Sequence, residues 1–328
     1  MRILKIKLFP LILLIVAVFL FFLVTLKWGF FSSSVPDTVN AQTISTCLNR
    51  VNIPESELHW VYAPENASAL HTEENYYFLA GQLISNKVVD ASTCPSDGLT
   101  LNGYANACGM SVAKPSVVYI QNSMDEAILQ AWKDVGVPPV LLKQMIRTES
   151  QFWPSHYLQT HFGFGHITNI GMRNALEWNR DLYAKVCPAS AGGACASSYT
   201  IADQILATLV VTCPTCQYGI DMTRAVRSVD ILAEVVLGYC YQTAQIINNA
   251  TQWHSSMVVD YPTIWKLTLM NYNAGSDCVY TAMRAAFLTT NGPVRWADVV
   301  RQVSGDQCVR GMTYANQITA KVYNFPPK

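Results

Sequence analysis

The sequence predicts a mainly α-helical domain that follows a small irregular region and an N-terminal transmembrane helix. Three observations lead to this fold class. Apolar residues recur at three- and four-residue steps over most of the chain after residue 123, as core-facing helices require. Turn-forming residues separate shorter aromatic runs between residues 46 and 114. An uncharged apolar run covers residues 8–26.

The apolar run at residues 8–26 has the length of a membrane span. At about 1.5 Å per residue it nearly matches a hydrocarbon core of roughly 30 Å. Three cations (Arg2, Lys5 and Lys7) precede the run and one follows it, so we expect the N-terminus in the cytoplasm. The alternative is a cleaved signal peptide with a small-x-small site at residues 39–41, which would make the protein secreted. The apolar region of such signals is usually about 7–15 residues, so length favours an uncleaved anchor in the cytoplasmic membrane.

Cysteine usage indicates an oxidising compartment. The chain has ten cysteines, an even number, and all of them follow the apolar run. Pairing in such a compartment removes reactive thiols and restrains loops. We therefore expect the chain beyond the anchor to lie outside the cytoplasm. The sequence leaves the connectivity open, and the pairs that we consider are Cys94 with Cys108, Cys187 with Cys195, and Cys278 with Cys308.

Composition divides the chain into four parts. We assign residues 1–31 to the anchor or signal segment and the polar, aperiodic residues 32–45 to a stalk. Residues 46–114 form an accessory region that is irregular or carries a few short strands, and no function follows from its sequence. Residues 115–328 form the helical domain. Helices are predicted at residues 124–135, 140–151, 201–212, 222–249, 262–273, 279–288, 294–303 and 312–323.

The charge balance excludes one class of partner. The chain carries 22 basic and 22 acidic side chains, and charged residues make up only 13% of it. Proteins that bind nucleic acid usually carry a clear basic excess, which neutralises phosphates. We therefore predict that nucleic acid is not a partner.

Glu149 is the residue that most strongly indicates chemistry. It shares a helix face with Leu142, Met145, Ile146 and Phe152, at steps of three and four residues. A carboxylate on an apolar stripe is costly unless it takes up a proton or finds partners. Burial would raise its pKa toward neutrality, as a general acid requires. The alternative is a glutamate in the last helical turn whose side chain simply reaches water.

The surroundings of Glu149 resemble the first motif of soluble lytic transglycosylase (SLT) domains. The run Gly-Val-Pro-Pro-Val-Leu-Leu at residues 136–142 leads to Glu-Ser-Gln-Phe-Trp-Pro at residues 149–154. The family has a similar Gly-hydrophobic-x-Pro-x-Leu-Leu run followed by Glu-Ser-x-Phe-x-Pro. We expect Lys143 and Arg147 on the solvated side of this helix.

Two further segments follow in the family's order. Gly-Phe-Gly-His at residues 163–166 is placed where the family has Gly-Leu-Met-Gln, and Asn-Ala at residues 174–175 where it often has Thr-Ala. Asn-Tyr-Asn-Ala-Gly at residues 271–275 is close to the family's Ala-Tyr-Asn-Ala-Gly. The resemblance covers roughly residues 130–290.

The resemblance implies a lysozyme-like fold and a peptidoglycan lytic transglycosylase. Such enzymes cleave the β-1,4 bond between N-acetylmuramic acid and N-acetylglucosamine and give a 1,6-anhydro product. One glutamate, here Glu149, serves as acid and then base, and no cofactor is needed. Tyr272 would place a hydroxyl donor close to Glu149, although Trp265 and Leu269 share its helix stripe and packing explains it equally well. The other residues expected to contact glycan are Ser150, Gly163, Phe164, His166 and Asn273.

This chain departs from the family pattern in its second motif. His166 replaces the family's Gln and Gly165 its Met, which alters part of the glycan-contacting wall. A one-residue shift of the alignment would bring Thr168 near that polar role. Two alternatives therefore stay open: a goose-type hydrolase in which Glu177 or Asp181 activates water, and a non-catalytic glycan-binding envelope protein.

Two other patterns suggest different chemistry. His156, His161 and His166 recur every five residues, whereas zinc sites on helices prefer four-residue steps, so we predict no metal. Cys213 and Cys216 form a CxxC, the format of thiol–disulfide exchange. Redox motifs of this kind normally open a helix after a strand, and here a helix precedes, so structural bonding is the better interpretation.

Overall fold

The computed structural model describes residues 59–61, 63–154, 160–213 and 215–320. These residues are mainly α-helical and include no β-strand, only isolated bridges. The mainly α fold class is therefore confirmed. The anchor at residues 8–26, the stalk and the candidate cleavage site lie outside the described residues. Within the described ranges, no helix is long and apolar enough to cross a membrane.

The accessory region is more helical than the sequence predicts. Short 3-10 helices occupy His59–Val61, Ala67–Leu70 and Pro95–Gly98. Helix α1 spans Tyr77–Ser85, and helix α2 spans Ala107–Ser123, so that α2 crosses the predicted boundary at residue 114.

The expectation of short strands in this region is wrong at α1. Leu79, Ala80, Leu83 and Ile84 are buried, and that spacing is helical. Packing of this apolar face against the rest of the domain overrides the strand preference of the neighbouring aromatic residues.

Helices α3 and α4 begin and end close to their predicted bounds. Helix α3 spans Asp125–Val135 and ends at Gly136, whose φ of 85° is left-handed. Helix α4 spans Pro139–Ser150 and carries proline in its first turn. Gln151 and Phe152 then take left-handed φ values of 46° and 64°, so the chain turns sharply just after Glu149.

The remaining helices complete the domain. They are α5 (Asn169–Trp178), α6 (Arg180–Val186), α7 (Tyr199–Ala207), α8 (Met222–Thr251), α9 (Ser255–Val258), α10 (Tyr261–Ala274), α11 (Ser276–Thr290), α12 (Trp296–Val300) and α13 (Asp306–Thr319). Helices α5, α6 and α9 were not predicted, and α7 and α12 end earlier than expected. Helix α13 begins six residues before the predicted start at residue 312, directly after Gly305.

Helix α8 is the central element of the core. Most of its residues are buried, and it packs against α3, α5, α10 and α11. Helix α13 lies along α10 and also contacts α4. The C-terminal helix is thereby brought to the end of α4 at which Glu149 lies.

Lys143 corrects the prediction for the solvated side of α4. Its side chain is only 1% exposed, and its ammonium group forms a 2.6 Å ion pair with Asp125. It also donates to the Leu70 carbonyl at 2.7 Å and to Asn122 Oδ1 at 3.1 Å. The accessory region covers this face of the helix, which helical periodicity alone does not reveal. Arg147 is half-buried.

Disulfides connect several of these elements. The three pairs considered from sequence, Cys94–Cys108, Cys187–Cys195 and Cys278–Cys308, are all present. Cys213 is bonded to Cys216, and Cys240 is also disulfide-bonded. Bonds of this kind form and persist in oxidising compartments, which indicates a domain that folds outside the cytoplasm.

Candidate functional site

Glu149 lies in the last turn of α4 with its carboxyl mostly withdrawn from water. The side chain is 17% exposed, while Met145 and Ile146 before it and Phe152 after it are fully buried. Burial disfavours the charged form and raises the pKa of Glu149 to about 7. The carboxyl can therefore carry a proton in mildly acidic solution, as a general acid must.

Tyr314 on α13 holds that carboxyl. Its hydroxyl donates to Glu149 Oε1 at 2.5 Å, and the Tyr314 side chain is 7% exposed. Burial raises the pKa of Tyr314 well above its ordinary value, so the phenol keeps its proton and remains a donor. This hydrogen bond favours the carboxylate and partly opposes the effect of burial on Glu149.

Tyr314 was not among the residues predicted from the sequence to lie at the site. The buried residues Gly311, Tyr314, Ala315 and Ile318 follow helical spacing, so the pattern indicated only a core-facing helix. The one available signal was a tyrosine on an apolar stripe, whose hydroxyl needs a partner when buried.

Tyr272 lies beside the site, but its hydroxyl does not donate to Glu149 as the resemblance implies. It donates to the Gly165 carbonyl at 2.6 Å. Its ring lies 6.5 Å from that of Tyr314, nearly parallel, and 5.1 Å from that of Tyr239. Tyr272 is close enough to Glu149 for the carboxylate charge to help raise the pKa of its phenol, after burial. Tyr272 therefore braces the 163–166 turn.

The second motif forms a tight turn against the site. Phe162 and Ile167 exchange backbone hydrogen bonds at 3.0 and 2.9 Å, which closes the turn between them. Phe164 is buried, and Gly163 adopts a left-handed φ of 66°. A Cβ on Gly165 would lie 2.3 Å from Leu232 Cδ1 and 3.0 Å from Tyr272 Oη, so a side chain here would force the buried Leu232 or the turn to shift.

His166 ends this turn next to Glu149. Its Nδ1 lies 3.9 Å from Glu149 Oε2, and its side chain is 19% exposed. The ring of His161 packs edge-on against it at 6.2 Å. Burial, followed by the effect of His161, lowers the pKa of His166 to about 4. The imidazole is therefore neutral over most of the pH range.

A network of polar side chains joins the segment at residues 174–175 to the segment at residues 271–275. Asn174 and Gln242 exchange hydrogen bonds at 3.0 and 2.6 Å. Asn271 donates to Gln242 at 2.8 Å and to Thr243 at 3.2 Å, and it is 1% exposed. Together with the approach of His166 to Glu149 and the hydrogen bond from Tyr272 to Gly165, this network brings the segments around residues 149, 165 and 272 to one place.

Other predicted site residues do not face Glu149 with free polar groups. Ser150 is buried, and its hydroxyl donates to the Ile146 carbonyl at 3.0 Å, which leaves it little surface for a ligand. Asn273 is exposed. Thr168 caps α5 by accepting from the Gly171 amide at 3.0 Å.

The two carboxylates that a hydrolase could use, Glu177 and Asp181, are exposed. Burial, partly opposed by the Tyr314 hydrogen bond, accounts for the raised pKa of Glu149, and no second carboxylate is among the causes. Among the residues that the structure describes, no three histidine, cysteine or acidic side chains are placed to hold a metal ion. His156 lies outside the described residues.

A polar cleft of about 540 Å³ lies next to this end of α4. Arg147, Thr148 and Gln151 line it from one side, Glu74 to Tyr76 from the accessory region, and Gln317 from α13. The Gln151 side chain also accepts from the Phe78 amide at 3.0 Å. A second cleft of about 510 Å³ surrounds the Cys278–Cys308 disulfide and is lined by none of the predicted site residues.

No protein-family model matches the chain, and neither a curated protein nor a solved structure matches it. The resemblance to soluble lytic transglycosylases therefore rests on the motif residues alone.

Proposed function

We propose that this protein is a lytic transglycosylase with a lysozyme-like catalytic domain that acts on peptidoglycan outside the cytoplasmic membrane. One observation carries the proposal: Glu149, at the catalytic position of the first motif, has a pKa raised to about 7 and is held by a tyrosine hydroxyl. The other two motif segments pack around it, through Gly165 and Tyr272.

The reaction needs a proton donor at the glycosidic oxygen. The Glu149 carboxyl supplies that proton as the bond between N-acetylmuramic acid and N-acetylglucosamine breaks. The 6-hydroxyl of the muramyl residue then closes onto the anomeric carbon and gives a 1,6-anhydro product without consuming water. Tyr314 holds one carboxyl oxygen, and the other lies 3.9 Å from His166 Nδ1.

The setting of the carboxyl favours this reaction over hydrolysis with two carboxylates. Inverting hydrolases place a second carboxyl about 6.5–9.5 Å from the first and retaining ones about 5–5.5 Å from it. Among the residues that the structure describes, Tyr314 donates to Glu149 and His166 lies 3.9 Å from it. The candidate second carboxylates Glu177 and Asp181 are exposed, and neither is among the causes of the raised pKa of Glu149.

The location of the domain agrees with a cell-wall substrate. Its disulfides indicate an extracytoplasmic domain. An anchor at residues 8–26 and a stalk at residues 32–45 would tether it within reach of the wall, and cleavage of the segment would release it.

Digestion of purified sacculi, followed by mass spectrometry of the soluble products, tests the proposal. We expect anhydro-muropeptides from the wild type and none from Glu149→Gln, with Glu177→Gln as the matched control that retains activity. Products that have gained one water would identify a hydrolase instead. Binding to sacculi without release of any muropeptide would identify a non-catalytic glycan-binding protein.

A further inference from the structure

The accessory region carries a cluster of aromatic side chains on its surface. Tyr77 and Tyr104 are 42% and 44% exposed. Phe78 is half-buried, and its ring lies 5.6 Å from that of Tyr104. Single exposed apolar side chains are ordinary, whereas a contiguous group of them marks an interaction surface. We call these three residues the aromatic patch.

The turn at residues 99–105 brings Tyr104 to the patch by lying directly on helix α1. A Cβ on Gly81 would lie 2.2 Å from the Gly103 carbonyl oxygen, so this close approach of two backbone segments requires glycine. The Tyr77 carbonyl accepts from the Ala105 amide at 2.9 Å. The helix and the turn therefore present their aromatic rings side by side.

The segments on either side of this turn are also fixed. The disulfide between Cys94 and Cys108 joins the residues before the turn to the first turn of α2. Asn106 accepts from the Gly109 amide at 2.9 Å and donates to the Pro95 carbonyl at 2.8 Å. Because such a scaffold holds the rings in place before a ligand arrives, binding costs little conformational entropy.

The aromatic patch adjoins the end of α4 that carries the candidate acid. The Phe78 amide donates to Gln151 Oε1 at 3.0 Å, and Gln151 follows Glu149 by two residues. Two residues of extended chain span at most about 7 Å. A polymer strand that is bound at Glu149 and extends along this side of the domain by a few sugar units therefore reaches the patch.

The chemistry of these segments favours one ligand. Neither α1 nor the turn at residues 99–105 contains a charged residue. Attraction to anionic lipids requires lysine or arginine, and the carboxylates and amines of wall peptides would likewise need charged partners. The N-acetylglucosamine units of a glycan are uncharged. They have an apolar face that packs on an aromatic ring, and tyrosine adds a hydroxyl that can bond to the sugar edge.

We propose that Tyr77, Phe78 and Tyr104 form a second glycan-binding surface, which holds the glycan backbone of peptidoglycan while Glu149 acts on it. This proposal rests on the proposed function, and it gives the accessory region the task of retaining the polymer. Two sites that engage one strand bind it more tightly than either site alone, because the second contact is intramolecular.

Cosedimentation of the full chain with purified sacculi tests this proposal, with Glu149→Gln as the parent so that the polymer stays intact. The added changes Tyr77→Ala/Tyr104→Ala should raise the Kd roughly tenfold or more. Tyr104→Phe keeps the ring and should stay within about twofold of the parent. Trp253→Ala, at a ring that is 52% exposed and follows α8, is the matched control and should bind as the parent does.

Competition identifies the ligand. Soluble glycan strands stripped of their peptides should displace the parent from sacculi, and free wall peptides should not. Displacement by the peptides alone would overturn the proposal. So would binding to vesicles of phosphatidylethanolamine and phosphatidylglycerol that requires the same tyrosines, because the fully exposed Leu101 in this turn would then mark a membrane contact.

The remaining outcomes separate this proposal from the proposed function. Unchanged binding by a double variant with a native circular dichroism spectrum would overturn the aromatic patch and leave the proposed function standing. A wild type that binds sacculi through these tyrosines but releases no anhydro product would overturn the proposed function and leave the glycan-binding surface standing. If the double variant loses its native spectrum, Tyr104→Ala alone provides the same comparison.

Discussion

The Tyr314 hydroxyl donates a 2.5 Å hydrogen bond to Glu149 from a position 165 residues further along the chain. This contact joins the C-terminal helix α13 to the end of α4. It holds one carboxyl oxygen and favours the carboxylate, which partly opposes the rise in the pKa of Glu149 that burial causes. The position and the pKa of the Glu149 carboxyl thus both depend on Tyr314.

Tyr314→Phe should move the alkaline limb of the activity profile to higher pH. The lost hydrogen bond lowers the Glu149 pKa in the wild type, so its removal raises that pKa above about 7. We also expect kcat to fall by roughly 10–10²-fold, because the carboxyl is no longer held in place. Tyr119→Phe is the matched control, since that ring is 48% exposed. An alkaline limb that stays in place would contradict the proposed coupling.

Glu149→Gln should make the protein more stable in alkaline solution. A carboxyl whose pKa is raised from 4.5 to about 7 in the folded state favours folding while protonated, and this benefit is lost as the pH rises through 7. At pH 8 the variant should gain about 2–3 kcal/mol in the free energy of unfolding over the wild type, and at pH 4 no difference should remain. Urea unfolding at both pH values measures this.

The control for this stability effect is Glu177→Gln, which removes an exposed carboxylate. It should change the free energy of unfolding by no more than about 0.5 kcal/mol at either pH. If the difference in the free energy of unfolding between Glu149→Gln and the wild type is the same at pH 4 and at pH 8, the carboxyl is not buried in solution.

Local periodicity was sufficient to predict α4 and the burial of Glu149. The apolar stripe through Met145 and Ile146 placed the carboxyl correctly because that information lies within one helix. Periodicity failed at Lys143, since the Leu70 carbonyl and Asp125 that satisfy its ammonium group lie 73 and 18 residues away. A buried charge with distant partners cannot be told from a solvated one by spacing.

The remaining contacts of the site could not be predicted from the sequence, because they also join segments that are distant along the chain. Tyr314 reaches Glu149 only through the packing of α13 on α4 and α10. For Tyr272 the sequence predicted the neighbourhood correctly but not the partner, because the hydroxyl donates to a backbone carbonyl of the 163–166 turn. Turn geometry depends on left-handed residues such as His166, which helical spacing does not indicate.

Gly165→Ala should damage the site without unfolding the domain. The new methyl group would lie 2.3 Å from Leu232 Cδ1 and 3.0 Å from Tyr272 Oη, so either the buried Leu232 side chain or the turn that carries His166 must shift. We expect a loss of about 1–3 kcal/mol in the free energy of unfolding and a larger relative loss of activity. Gly193→Ala is the matched control, since its new methyl group would have no heavy atom of a neighbouring residue within 4 Å. Equal activity of the two variants would contradict the close approach at Gly165.

The disulfide between Cys278 and Cys308 should stabilise both the fold and the position of Tyr314. It joins α11 to the first turn of α13 and closes a loop with a sequence separation of 30. Loop-closure entropy predicts that replacing both cysteines by serine costs about 4 kcal/mol, against about 2 kcal/mol for the short loop between Cys213 and Cys216. Thermal unfolding of the two double variants under oxidising conditions compares these values.

Measuring the release of anhydro-muropeptides separates the effect of this disulfide on the position of Tyr314 from its effect on the stability of the whole domain. Cys308 lies on the same helix as Tyr314, so loosening its end should weaken the hold on Glu149. At a temperature where both double variants remain folded, the Cys278→Ser/Cys308→Ser variant should release anhydro-muropeptides more slowly than the Cys213→Ser/Cys216→Ser variant. Equal rates would show that α13 holds Tyr314 in place by its packing against α10 alone, because the disulfide would then add stability without positioning the acid.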